Sequence, residues 1–160
     1  MSADVNSRAV HVTDIVNSFT RAFLGVEAEP IRDGRGLPTG RRLAACVSVR
    51  GAWNGAVVLL CSRSLAETAA AAMFGIAGGK VADADARDAL GEMTNIIGGN
   101  LKCAVATLDE EPGQLSLPFV TDGTLNVARV AARSIVRFRV LGELLEVGIL
   151  DSDPPAGDMA

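Results

Sequence analysis

The chain has 160 residues, of which 49% are hydrophobic and 21% are charged, and its net charge is −4. This suits a single domain, predicted over residues 1–150, followed by a frayed, acidic and proline-rich tail at 151–160. The acidic balance argues against binding to nucleic-acid phosphates, and an aromatic content of 4% argues against a stacking platform for single strands. No apolar run approaches the ~20 residues of a transmembrane helix, so no membrane contact is expected.

Side chains that bind metals are few and scattered. The chain has three cysteines and one histidine, His11, and the cysteines form no CxxC pair. Because a zinc site requires clustered ligands, no metal and no bound cofactor are expected, and Cys46, Cys61 and Cys103 are interpreted as small buried hydrophobes. The N-terminal segment has no basic stretch followed by an apolar one, which favours a reduced, cytoplasmic location.

Hydrophobic periodicity and turn residues predict the elements of the first half. Pro30 restricts its strand to a sheet edge, and residues 51–55 are predicted to form a hairpin turn. In chain order the predictions are a helix at residues 8–24, the edge strand at 26–31, a loop at 33–42, strands at 43–50 and 55–61, and a helix capped by Ser62 or Ser64 that ends near Gly75.

A long helix, predicted from about residue 84 to residue 107, opens the second half, and the turn residues of DEEPG end it. The rest is strand-like, with Val136, Phe138 and Val140 alternating with arginines before a turn at Gly142. These strands are predicted at residues 114–123, 125–130, 134–141 and 144–150. Short turns between strands favour antiparallel pairing, so the predicted fold class is α+β, with helices packed on a mainly antiparallel sheet.

The long helix carries the clearest pattern in the chain. At about 100° per residue, one narrow stripe, here called the polar stripe, contains Asp88, Glu92, Asn95, Gly99 and Lys102. The opposite side is centred on Leu90, Met93, Ile97, Leu101, Ala104 and Leu108. The apolar side is predicted to cover the sheet, which leaves the polar stripe facing solvent or a partner.

A solvated face explains most stripes of this kind. Such faces usually carry good helix formers, however, whereas this one contains Asn95 and Gly99. A glycine in an exposed helix interior costs about 1 kcal/mol relative to alanine. The pair Gly98 and Gly99 therefore indicates a close approach of some other group to the backbone beside Asn95.

Glu92 and Asn95 lie one helical turn apart, so both side chains can reach one target. A carboxylate can bind a lysine or arginine of a partner. A carboxamide both donates and accepts hydrogen bonds and can hold a water molecule in a fixed orientation, as the glutamine of small GTPases does. The helix has no cluster of metal ligands, so a phosphate target would have to supply the metal.

The segment DALGEMTNIIGGNLK resembles the signature helix of the CheC/CheX-type chemotaxis phosphatases. Their pattern is Asp or Ser, three residues, Glu, two residues, Asn and a Pro twenty-three positions later, and it is matched by Asp88, Glu92, Asn95 and Pro118. An ExxN pair alone is weak, because eight Glu and six Asn in 160 residues give about 0.3 chance pairs. The segments GAWNGAVVLL, MFG and SLPFVTDG extend the resemblance over residues 43–123.

The resemblance implies a CheC/CheX-like sandwich whose substrate is the aspartyl phosphate of a CheY-type response-regulator receiver domain, in chemotaxis or related two-component signalling. By the same resemblance Asn95 orients the attacking water, Glu92 pairs with a lysine of the receiver, and the magnesium ion belongs to the receiver. Asp88, Gly99 and Lys102 are candidate partner-binding residues.

CheC-type members carry the motif twice, and the N-terminal helix is where a second copy would lie. There Val10 occupies the acidic position and Asp14 replaces the Glu before Asn17, so the second motif is counted as absent. A single motif resembles the CheX branch, whose members are homodimers. A homodimer is therefore expected, with residues 125–130 and 134–141 as candidate pairing edges.

Several alternatives stay open. The same fold can serve as a non-catalytic module that docks on a receiver domain or a flagellar switch complex, although an intact Glu92 and Asn95 favours the enzyme. Asp88 either contacts the partner or, near the helix start, offsets the helix dipole. Trp53 is either an exposed contact or a lid over the core edge, with the lid favoured, and Pro118 is interpreted as shaping a strand end.

Overall fold

The computed structural model of the chain describes residues 2–32, 40–105, 113–123 and 132–151. Three helices pack on one face of a seven-stranded sheet, and every strand pair in the described residues is antiparallel, which confirms the predicted α+β class. The elements are α1 (Ser2–Leu24), β1 (Glu29–Ile31), β2 (Arg42–Arg50), β3 (Gly55–Ser62), α2 (Arg63–Phe74), α3 (Asp83–Val105), β4 (Gln114–Leu115), β5 (Phe119–Asp122), β6 (Ala132–Val140) and β7 (Glu143–Asp151).

The strands lie in the order β1-β6-β7-β3-β2-β4, and β5 pairs with β2 beside β4. The short strand β1 is at the sheet edge, as Pro30 predicted. Helix α1 begins at Ser2, earlier than the predicted start at residue 8. Apolar periodicity does not extend over these first residues and so did not reveal them. The main core lies between the helices and the sheet, where alternate residues of each strand face inward.

The predicted β2–β3 hairpin is present, and its register places Val47 opposite Val57. In its turn, Trp53 is only 8% exposed and packs on the core, and its Nε1 donates a hydrogen bond to Asp151 Oδ1 at 2.7 Å. The lid interpretation of Trp53 is therefore confirmed, and the exposed-contact interpretation is wrong. Gly55 makes room for the ring, since a Cβ there would lie 2.8 Å from its Cζ2 atom.

Cap and turn residues bound α2 and the last hairpin where the sequence predicted. Ser62 Oγ accepts the backbone N–H of Leu65 at 3.1 Å, which selects Ser62 as the N-cap of α2. Gly75 ends α2 in the left-handed conformation, with φ of 67°. Leu141 and Gly142, with φ of 52° and 77°, form the tight turn between β6 and β7.

The cysteine interpretation holds for one residue. Cys61 is fully buried in the core, and burial raises the pKa of its thiol to about 12. Cys46 is half-buried, and its pKa is also raised by burial. The prediction is wrong for Cys103, which is exposed because it lies in an open groove between α1 and α3. Ala104 lines the same groove, so its predicted place over the sheet is also wrong.

Several predictions fall outside the described residues. These are the loop at 33–39, the helix end at 106–107 with Leu108, the strand at 125–130 and the tail at 152–160. Within the described residues, no helix combines the length and apolarity needed to cross a bilayer.

Candidate functional site

Helix α3 places the polar stripe on its outer side, as predicted. The residues that α3 buries are Ala86, Ala89, Leu90, Gly91, Met93, Thr94, Ile97, Gly98 and Leu101. Asp88 and Glu92 are exposed, whereas Asn95, Gly99 and Lys102 are half-buried. Burial of the apolar face against the sheet therefore fixes the rotation of the helix and directs the stripe outward.

The side chains of Asp88, Glu92 and Asn95 make no hydrogen bond or ion pair within the described part of the chain. Two neighbouring polar side chains of α3 are paired: Thr94 Oγ1 donates to the carbonyl of Leu90 at 2.7 Å, and Lys102 Nζ donates to the carbonyl of Gly113 at 3.0 Å. The described part of the chain thus leaves the hydrogen-bonding groups of these three side chains unused.

A chain of ion pairs fixes the surroundings of the motif. Arg87 Nε binds Asp83 Oδ2 at 2.7 Å, and Arg87 Nη2 binds Asp122 Oδ2 at 2.6 Å, which joins α3 to the end of β5. Arg63 at the start of α2 also pairs with Asp83. Hydrogen bonds from Arg87 and Arg63 hold the pKa of the Asp83 carboxyl below its ordinary value. Arg87 is therefore occupied by two carboxylates other than Asp88.

A groove of about 450 Å³, here called the motif groove, runs beside Asp88 and Glu92. It is lined by Phe74, Arg87, Asp88, Gly91, Glu92, Pro118 and Val120. Pro118 immediately precedes β5 and packs on the backbone of α3, since a Cβ at Gly91 would lie 3.3 Å from its Cγ. The proline of the sequence pattern thus forms a wall next to Glu92.

The described residues contain no group of three or more His, Cys, Asp or Glu side chains placed to hold a metal ion. What the exposed part of α3 offers is a carboxylate for a cation and a neutral carboxamide that can orient a water molecule.

Comparison with known proteins identifies the family. The family model described as chemotaxis phosphatase CheX matches residues 43–139, which is more than half of the chain. The chain belongs to the CheX family. No curated protein sequence matches it significantly.

Solved structures share the CheX fold at low sequence identity. A CheX from Desulfovibrio desulfuricans is 19% identical with a TM-score of 0.69, covering 91% of this chain and 99% of that one. The CheX–CheY–BeF3–Mg²⁺ complex from Borrelia burgdorferi matches at 18% and 0.67, covering 89% and 96%. Thermotoga maritima FliY matches at 15% and 0.53, covering 91% and 90%.

The two glycines of the CheX-type helix have different surroundings. A Cβ at Gly98 would lie 2.9 Å from Val47 Cγ2, so the predicted close approach is found at this position and is made by the sheet of the same chain. A Cβ at Gly99 would lie 3.6 Å from Leu115 Cδ1, an ordinary contact. Packing therefore accounts for Gly98, whereas a partner contact at Gly99 stays a prediction.

These surroundings predict opposite effects of alanine on stability. Gly98→Ala should lower the free energy of unfolding by roughly 1–3 kcal/mol, because buried Val47 must move. Gly99→Ala should raise it by up to about 1 kcal/mol through helix propensity. Urea denaturation of the two variants beside the parent chain measures both changes. Equal effects of the two substitutions would contradict the packing assigned to Gly98.

Two further stripe residues have neighbours that the sequence did not reveal. The bond from Lys102 to Gly113 holds the segment that enters β4, so its ammonium is engaged within the chain, and its contact with a partner stays a prediction. Helix α3 begins at Asp83, which leaves Asp88 in the second turn, beyond the main influence of the helix dipole. The dipole interpretation of Asp88 is therefore weakened, because the first-turn acids are Asp83 and Asp85.

On α1, the asparagine of the incomplete second motif has a structural contact. Asn17 Oδ1 accepts the backbone N–H of Ala28 at 2.9 Å and so joins the helix to the segment before β1. This hydrogen bond occupies the carboxamide oxygen, which agrees with the absence of a second motif from the sequence.

Proposed function

We propose that this CheX-family chain is a protein phosphatase that hydrolyses the aspartyl phosphate of a CheY-type receiver domain, in chemotaxis or related two-component signalling. The observation that carries the proposal is that Glu92 and Asn95 share one outer turn of α3 and have no side-chain partner within the described residues. The CheX–CheY complex of the Borrelia burgdorferi relative supports the choice of partner.

In the proposed reaction Asn95 enters the active site of the receiver and orients a water molecule in line with the phosphorus. The water oxygen attacks phosphorus, the bond from phosphorus to the aspartyl oxygen breaks, and the receiver regains its carboxylate. Inorganic phosphate leaves with the water oxygen, and the proton lost from the water goes to phosphate or solvent. Asn95 acts by positioning, since a carboxamide is a poor base.

Glu92 pairs with a lysine of the receiver and thereby sets the position of Asn95 one turn away. Asp88 and Gly99 complete the proposed contact surface on the same outer side of α3. The magnesium ion is part of the receiver, where it offsets the charge of the phosphoryl group. This chain needs only to bind the loaded receiver and hold one water molecule.

A non-catalytic docking module of the same fold is the second candidate. The two candidates differ in the role of the Asn95 carboxamide. The phosphatase requires it to orient a water molecule, whereas docking alone requires no such group. The unpartnered Asn95 therefore favours the phosphatase.

The deciding experiment measures the decay of phosphorylated receiver proteins from the same genome with and without the purified chain. We expect faster decay of at least one receiver. Binding to a receiver without faster decay would favour the docking module, and neither binding nor faster decay across all receivers would refute the proposal.

We also propose that the chain forms a homodimer. Strand β1 pairs only with the end of β6, at residues 137–139, so the preceding part of β6 has no strand neighbour on that side among the described residues. Ile135 in this part is 41% exposed, and the free edge can pair with a second copy. Light scattering at micromolar concentration should give about twice the chain mass of 16.5 kDa. A mass of one chain over that range would contradict the dimer.

A further inference from the structure

The motif groove joins the proposed catalytic turn to an apolar wall. Phe74, the last residue of α2, lines the groove and is 45% exposed, and Pro118 just before β5 and Val120 within β5 also line it. Glu92 lines the same groove, so a molecule bound at Glu92 lies next to this wall. The wall is thus continuous with the surface proposed to bind the receiver.

The apolar wall is held in place by contacts on both of its sides. Gly75 ends α2 immediately after Phe74, and its backbone N–H donates to the carbonyl of Ala71. On the other side, the pair between Arg87 and Asp122 ties β5 to α3. The groove is therefore formed before a partner arrives, which lowers the entropic cost of binding.

The charge of the groove is one-sided. Asp88 and Glu92 form its acidic wall and have no ion-pair partner in the described part of the chain. Arg87 is the cationic residue of the lining, and its guanidinium is engaged by Asp83 and Asp122. The groove thus presents two carboxylates together with an apolar wall, which complements an apolar side chain adjacent to a basic one.

We propose that the motif groove seats a segment of the receiver domain in which an apolar side chain lies next to a lysine or arginine. The apolar side chain packs on Phe74 and Pro118, and the basic side chain binds Asp88. This inference rests on the proposed function and assigns Phe74 to receiver affinity rather than to the chemical step.

Phe74→Ala tests the apolar wall, and Phe23→Ala is the matched control. Phe23 lies on α1 and is 41% exposed, close to the 45% of Phe74, but it does not line the groove. We expect Phe74→Ala to raise the KM for the phosphorylated receiver by about tenfold and to leave kcat within about twofold. Phe23→Ala should leave both values unchanged, and Phe74→Leu should restore most of the lost affinity.

Asp88→Asn tests the acidic wall. It should raise the KM for the phosphorylated receiver several-fold and make that KM less dependent on salt concentration. Circular dichroism melts verify that each variant folds, and titration calorimetry with a beryllofluoride-loaded receiver measures affinity directly. An active parent chain whose KM and Kd are unchanged by Phe74→Ala, or are raised equally by Phe23→Ala, would overturn the groove proposal alone. A parent chain that neither binds nor dephosphorylates any receiver would overturn the proposed function together with it.

Discussion

Asn95→Ala should reduce receiver dephosphorylation by roughly 100-fold or more while leaving the affinity for a loaded receiver nearly unchanged. The receiver already holds the acyl phosphate and its metal, so the contribution left to this chain is the placement of one water molecule. Alanine removes the carboxamide that orients the water. Since the Asn95 side chain has no hydrogen-bond partner in the described residues, its loss should change stability by less than about 0.5 kcal/mol.

Asn100→Ala is the matched control for this experiment. Asn100 is exposed on the same helix but lies outside the polar stripe, so its replacement should leave the rate unchanged. The assay follows loss of phosphate from a purified receiver, with binding to the beryllofluoride-loaded receiver measured in parallel. Full activity in a folded Asn95→Ala variant would refute the water-positioning mechanism. Loss of activity together with unfolding would instead assign Asn95 a structural role.

Glu92→Ala should differ by weakening the complex as well as the turnover. A charge-assisted contact contributes about 1.5–3 kcal/mol, which corresponds to roughly a 10- to 100-fold rise in the Kd for the receiver. Because Glu92 is exposed and forms no ion pair within the described residues, its removal breaks no contact inside the domain, and the melting temperature should stay close to that of the parent.

Glu92→Gln separates charge from shape in this second experiment. Glutamine keeps the length of the side chain and one acceptor oxygen but loses the negative charge, so the affinity of the Glu92→Gln variant for the receiver should approach that of Glu92→Ala if the partner group is a lysine. Titration calorimetry at two salt concentrations provides the measurement. An affinity of Glu92→Gln equal to that of the parent chain would argue that Glu92 does not bind a cation.

Local patterns predicted the elements well because each depends on a short stretch of chain. The spacing of apolar residues on α3 is by itself enough to predict that the polar stripe faces away from the sheet. Ser62, Gly75 and Gly142 marked a cap, a helix end and a turn, since the backbone conformations at such positions favour these residue types. The family motif then connected Asp88, Glu92 and Asn95 to one chemistry.

The sequence by itself was therefore sufficient to locate the motif helix, the three helices and the long strands in their order, and the candidate catalytic pair, whereas the strand predicted at 114–123 is divided into β4 and β5. Only the tertiary structure decided that Gly98 fits against Val47, that Pro118 packs on Gly91, and that Phe74 lines the motif groove. Periodicity describes the faces of one helix or strand, whereas these contacts join residues on different elements, and their distances depend on how the helices pack on the sheet. For the same reason the two adjacent glycines predicted a close approach beside Asn95, but only the structure shows that the group close to Gly98 is Val47 of the same chain.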